Sequence, residues 1–226
     1  MYSKYLKRPL DFCLSLCALI VLSPVLLILT VVGAIKMKGN PFFSQLRPGK
    51  DEKIFNLIKF RSMTCETDEN GELLPDDVRL TKYGKALRET SLDELPELIN
   101  ILKGDMSVVG PRPLLVRDMV FMTDEQRRRH TVRPGLSGLA QVKGRNAIQW
   151  ENKLNFDLEY IEKITFFGDM KIILETVFRV IKHEDISEEG METAEDLGDY
   201  LLRDGKVTRA EYNKKQEESK QLLSIL

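Results

Sequence analysis

Two adjacent carboxylates, Asp93 and Glu94, stand just ahead of Pro96 in the segment Leu87 to Pro113, LRETSLDELPELINILKGDMSVVGPRP. Proline is tolerated only in or near the first turn of a helix, so the acidic pair marks a helix start. Structurally, Ser91 and Glu94 fit a capping box, or Asp93 is itself the N-cap, and the helix dipole favours acids there. Chemically, the pair stands among cations in or beside turns. Arg88 precedes it, Arg112 lies between two prolines, and Lys59, Arg61, Arg79, Arg133 and Arg145 share that kind of setting. Arginine in a rigid turn suits bidentate capture of phosphate oxygens, and free amides at a helix N-terminus attract the same anion. Phosphate chemistry is the reaction class this pattern suits, although any one of these arginines also reads as surface charge. The run Arg127-Arg128-Arg129 reads as a solvated face or a patch touching lipid headgroups.

Other chemistries are poorly served. Cys13, Cys17 and Cys65 are too few to staple a secreted fold, which favours a reducing compartment. His130 and His183 lack the spacing of a zinc site or a Ser-His triad. Gly49-Lys50 lacks the upstream glycine of a P-loop, and Gly135-Leu136-Ser137-Gly138 misses nucleophile-elbow spacing by one residue.

The elements that must position these residues begin with a hydrophobic segment. Phe12 to Ile35 carries no charge; as a straight helix it would cover roughly 36 Å against a hydrocarbon core of about 30 Å. Ser23-Pro24 interrupts it near the middle, and Lys4, Lys7, Arg8, Lys36 and Lys38 flank both ends. Proline removes one backbone donor and clashes with the carbonyl of Ile20, so a kink is expected there, with the Ser23 hydroxyl placed to bond the freed oxygen. Basic flanks favour the cytoplasmic side. The expectation is a re-entrant helix-break-helix at residues 1–38, against a single-span anchor or a cleaved signal peptide; no small-x-small cleavage site follows the run.

Beyond it, residues 39–183 read as one mainly helical domain on the side that the basic flanks favour. A hairpin is expected from Pro41 to Arg61, with strands around Phe42 to Leu46 and Ile54 to Phe60, a solvated loop over 64–78, and helices near 94–103, 113–130, 150–163 and 169–182. The fold class is mainly α with a small β-hairpin (α+β), a monotopic membrane protein with interfacial amphipathic helices. The helix from Asp169 reads either as core-facing or as lying in the membrane interface. Residues 184–226 form an acidic helical tail, with Thr208 and Glu211 as a capping box. The body to residue 183 holds 28 basic and 23 acidic side chains (+5), and the tail 6 and 12 (−6). That excess is too small for a nucleic-acid partner, and Trp150 with scattered aromatics makes no stacking platform. A non-catalytic lipid-binding scaffold would need the acidic pair to be only a cap.

Ordered motifs run through about four-fifths of the chain: Lys7-Arg8-Pro9-Leu10-Asp11, Ser23-Pro24, PFFSQLRPGK (Pro41 to Lys50), KFRSM (Lys59 to Met63), TSLDELPELINILKGDMSVVGPRP (Thr90 to Pro113), RPGLSGLAQV (Arg133 to Val142), GRN (Gly144 to Asn146) and Asp169. In these the chain resembles the small monotopic polyprenyl-phosphate phosphoglycosyl transferases of the bacterial sugar transferase family, especially the minimal PglC-type members. The acidic tail matches no motif.

The resemblance implies an enzyme of the bacterial inner membrane, working at its cytoplasmic face among membrane phospholipid. It would move a sugar-1-phosphate from a UDP-sugar to undecaprenyl phosphate with release of UMP, a first membrane step of glycoconjugate or polysaccharide biosynthesis. It favours Ser23-Pro24 as the re-entrant break. By motif, Asp93 is the expected nucleophile with Mg2+ close by, Glu94 assists the lipid acceptor, and Lys59, Arg88, Arg112 and Arg145 bind phosphate and nucleotide. Asp169 is open between a binding residue and a helix cap. A homo-oligomer is compatible with the sequence.

Overall fold

The computed structural model describes residues 1–144, 149–182 and 195–224. The uncharged run folds as one helix, α1 (Lys7–Lys36), entered through a π-helical turn at Tyr2–Leu6. Instead of breaking at Ser23-Pro24, the helix is carried through Pro24. The oxygen that proline deprives of its amide is satisfied as the sequence suggested: Ser23 Oγ donates to the Ile20 carbonyl at 2.8 Å.

One face of α1 docks along the body. Arg8 donates to the carbonyls of Ile101 and Leu102 at 2.6 and 2.9 Å, a cation at a helix C-terminus. Buried Asp11 accepts from Ser107 Oγ at 2.7 Å and from the Val108 amide at 3.1 Å. Ala18, Leu19 and Leu22 pack on a core of Leu57, Leu98, Ile101 and Met106, and Tyr83 Oη donates to the Leu29 carbonyl at 3.1 Å. The opposite face leaves Leu14, Ile20, Val21, Leu27, Val31 and Ile35 exposed.

Strands β1 (Phe42–Pro48) and β2 (Ile54–Phe60) form the expected antiparallel hairpin, in register from Phe42↔Phe60 to Pro48↔Ile54. After the polar loop come α2 (Asp76–Arg79), α3 (Lys82–Glu89) and α4 (Glu97–Lys103), the last ended by Gly104 at φ 99°. A second, parallel pair joins β3 (Ser107–Val109) to β4 (Gly135–Ser137). Its close approach explains the RPGLSG glycines: a Cβ on Gly135 would stand 2.1 Å from the Gly110 nitrogen. Strands of three residues are too short to reveal alternation in sequence.

The single helix expected over 113–130 is instead α5 (Val116–Met119), α6 (Asp124–Arg127) and a 3-10 turn at Arg128–Thr131. Two N-terminal caps fall inside that stretch, Asp118 on the Leu115 amide and a Thr123–Gln126 capping box, and each imposes a fresh start. Then follow α7 (Leu139–Gly144), α8 (Trp150–Glu162) and α9 (Phe166–Lys182). Helix α9 faces the core along one side, where Ile172 is buried with Val109, Val142 and Tyr160, while Phe167, Leu174 and Phe178 are exposed on the other. The tail contributes α10 (Leu197–Arg203) and α11 (Arg209–Ser224), the latter opened by the Thr208–Glu211 box.

Candidate active site

The acidic pair does not cap a helix. Ser91 adopts a left-handed conformation (φ 55°) and makes no side-chain cap, so the chain turns and Leu92–Glu94 forms a separate 3-10 turn ahead of α4. That turn faces β2, and Glu94 is turned toward cations from two other segments. Glu94 Oε1 accepts from Lys59 Nζ of β2 at 2.8 Å and from Arg112 Nη2 at 2.5 Å. Lys59 also meets Glu97 Oε1 at 3.0 Å, so one ammonium bridges two carboxylates.

Charge and burial divide the three acids. Burial alone would raise Glu94, but Arg112 and Lys59 outweigh it and hold its carboxyl well below the usual range. Burial pushes Glu97 up to about 7, with Lys59 opposing. Asp93 is pushed up to about 6 by burial and by the neighbouring Glu94 charge, against the pull of Lys59, Arg112 and Arg88. Lys59 stays firmly protonated: burial disfavours its charge, and Glu94 and Glu97 more than restore it. No hydrogen bond or ion pair to the Asp93 carboxylate occurs among the described residues.

Arg88 lies on α3 with its Nε donating to Ser62 Oγ at 3.0 Å. Arg112 is held from behind by its own backbone: its carbonyl accepts from Arg129 Nη2 at 2.6 Å, and the next carbonyl, of Pro113, from Arg47 Nη1 at 3.2 Å. Burial, with Arg112 nearby, pulls Arg47 down to about 10. The structure therefore brings Lys59, Glu94 and Arg112 into direct contact and sets Arg88 and Asp93 within their field. Ser23 and Pro24 belong to the docked helix, and Arg145 lies outside the described residues.

Sequence reasoning missed Glu97 and misread Arg129. Glu97, which the sequence did not single out although it follows Asp93 by four residues and Glu94 by three, is 2% exposed. Arg129 belongs neither to a solvated face nor to a headgroup patch. It is 2% exposed and ion-paired at 2.7 Å with buried Asp157 of α8. Its neighbours Arg127 and Arg128 pair with Glu52 and Glu125. Asp169, open in sequence between a binding residue and a helix cap, lies in the first turn of α9. It is buried and accepts from Tyr2 Oη (2.7 Å), Lys7 Nζ (2.5 Å) and Tyr160 Oη (2.9 Å), tying the start of α1 to α8 and α9.

Among the described residues no three His, Cys, Asp or Glu side chains are grouped to hold a metal ion. A magnesium ion needs fewer protein ligands when waters and substrate phosphates supply the rest, and the unbonded Asp93 oxygens are donors of the right kind. The site thus sets a carboxylate of raised pKa, with no bonded partner among the described residues, beside two cations that Glu94 holds.

The bacterial sugar transferase family model matches residues 2–183. An uncharacterized sugar transferase, EpsL, of Bacillus subtilis (strain 168) is 47% identical over 190 residues, covering 84% of this chain and 94% of that protein. A UDP-glucose:undecaprenyl-phosphate glucose-1-phosphate transferase of Klebsiella pneumoniae is 42% identical over 76% of this chain, and an undecaprenyl-phosphate galactose phosphotransferase of Salmonella typhimurium (strain LT2) 34% identical over 80%. The chain spans only about two-fifths of those two, 39% and 42% of their lengths. The matched stretch holds every element from α1 to α9 and the whole acidic and cationic cluster, and the chain belongs to the bacterial sugar transferase family.

Proposed function

We propose that this protein transfers a sugar-1-phosphate from a UDP-sugar to undecaprenyl phosphate at the cytoplasmic face of the bacterial inner membrane. The observation that carries the reading is the contrast within the acidic pair: Glu94 is bonded to Lys59 and Arg112, and Asp93 is free beside them. Three relatives are named as transferases of glucose-1-phosphate or of galactose phosphate to undecaprenyl phosphate.

In the first step an Asp93 oxygen attacks the phosphorus that bears the sugar. The bond from that phosphorus to the bridging diphosphate oxygen breaks, and UMP leaves with the electron pair. The phosphosugar is then held as an acyl phosphate on Asp93. In the second step an oxygen of the lipid phosphate attacks the same phosphorus, the acyl phosphate bond breaks, and the Asp93 carboxylate is restored. Lys59, Arg88 and Arg112 hold the phosphate oxygens in line, with Arg145 assigned alongside them by motif. Glu94 is too weak a base to take a proton; its contacts make it the group that aims Lys59 and Arg112, and through them it assists the acceptor. Mg2+ at Asp93 would supply charge neutralisation on the diphosphate.

A membrane location is supported by the exposed apolar face of α1 and by Phe167, Leu174 and Phe178 on α9. The re-entrant reading is supported by where α1 makes its contacts. Arg8 near one end and Leu29 toward the other both bond to the same body, which a straight span with the body on one side would not allow. Thiol or protease labelling of a tag at residue 1 is expected only from the cytoplasmic side; periplasmic labelling would reject re-entrance. For the chemistry, incubating protein with a panel of UDP-sugars and Mg2+, without lipid, is expected to raise its intact mass by one sugar phosphate. No gain with any donor, or an equal gain in Asp93→Asn, would remove Asp93 from the nucleophile role.

A further inference from the structure

Residues 184–226 lie beyond the family match, yet the described part of this tail is folded onto the body beside the site. Leu197 and Tyr200 of α10 are buried in one cluster with Leu114, Phe121, Trp150 and Leu154. The join is made by Asp118, itself buried. Its Oδ2 accepts the Leu115 amide and its Oδ1 the Leu197 amide, each at 3.0 Å. Leu115 is the third residue after Arg112, and the chain between them has its Arg112 and Pro113 carbonyls gripped by Arg129 and Arg47. The tail also reaches the start of α8, shortly after Arg145 in sequence: Trp150 Nε1 donates to the Glu195 carbonyl at 3.2 Å and Tyr200 Oη to Glu151 at 2.8 Å. Charge complements the fit, with Arg117 paired to Asp196 and Lys215 donating to the Val120 carbonyl.

We propose that the carboxyl-terminal helix pair is a brace that fixes the Arg112 segment and the start of α8 for capture of the donor diphosphate, with Asp118 as the positioning residue through which it acts. The proposal rests on the donor reading above. A short proline-flanked loop has few amides of its own to anchor it, so its arginine is placed by what backs it.

Gly198 allows the tail to be lifted without altering the site, because a Cβ there would stand 2.6 Å from Phe121 Cε2. In full-length Gly198→Ala, Gly198→Val and Asp118→Asn proteins, amide exchange over 197–203 reads undocking and exchange over 112–116 reads the Arg112 segment. Both are expected to quicken together, with KM for the UDP-sugar rising about tenfold and kcat held within twofold. Phe121→Leu in the Gly198→Ala background, which removes the ring atoms the new methyl meets, is expected to restore both. Faster exchange in α10 with exchange at 112–116 unchanged overturns the brace, as does unchanged exchange in all three variants. So does a KM within twofold of the unmodified protein once the tail is undocked. If the unmodified protein releases no UMP, the donor reading fails, and the exchange measurements still decide whether the tail steadies the Arg112 segment.

Discussion

Asp93 and Glu94 are consecutive in the chain and opposite in bonding: Glu94 Oε1 takes both Arg112 and Lys59, and Asp93 takes neither. A 3-10 turn sends adjacent side chains in different directions, so one acid can be committed to holding cations while the other stays free to react. Asp93→Asn removes a carboxylate whose charge is disfavoured by burial and by Glu94, so its Tm at pH 7.5 is expected to be no lower than that of the unmodified protein, while turnover falls at least about 10³-fold. A lower Tm would mean that Asp93 holds the fold together.

Glu94→Gln is expected to behave the other way. Lys59 and Arg112 lose their shared counter-charge, and the cost is about 1–3 kcal/mol in a urea titration together with a fall in kcat. A variant of unchanged stability would show that the two cations do not depend on Glu94.

Glu97 supplies a pH dependence with a definite sign. Its folded pKa of about 7 lies above the ordinary glutamate value, so the folded protein holds a proton that the unfolded chain has released. Its contribution to stability is full at pH values below the ordinary one and is lost as pH rises through 7, by up to about 3 kcal/mol at about 1.36 kcal/mol per unit. Glu97→Gln keeps an oxygen for Lys59 and cannot titrate. Its denaturation midpoint is expected to vary less between pH 5 and 8 than that of the unmodified protein, and parallel pH profiles would exclude Glu97 as the source.

The Arg129–Asp157 pair is buried on both sides, 1% and 2% exposed at the side chains, and Arg129 also grips the Arg112 carbonyl. Removing one partner strands the other charge, so Asp157→Ala is expected to cost about 3–5 kcal/mol and to raise KM for the donor before the protein unfolds. Chemical denaturation and steady-state kinetics at one temperature separate the two effects.

Asp169→Asn tests the attachment of the membrane helix. Lys7 would keep only a neutral partner, and hydrogen exchange at Tyr2 to Asp11 is expected to increase in detergent micelles with little change at Lys59. Equal exchange in both proteins would show that α1 is held by its apolar contacts and by Arg8 and Asp11 alone.

The sequence by itself determined the hydrophobic helix, the hairpin and the acidic pair among cations, because each is a local pattern: an uncharged run, alternation around a Pro-Gly turn, carboxylates ahead of a proline. It also carried the Ser23 bond to Ile20, set by helical spacing. Tertiary structure alone decided that the helix continues through Pro24, with the body contacting α1 on both sides of it. It decided which acid is free, since that depends on Lys59 and Arg112 arriving from segments distant in the chain. Charged residues look alike in sequence whether solvated or paired, and burial is a property of what packs around them. For that reason Arg129, Glu97 and Asp118 emerged only when the chain was folded.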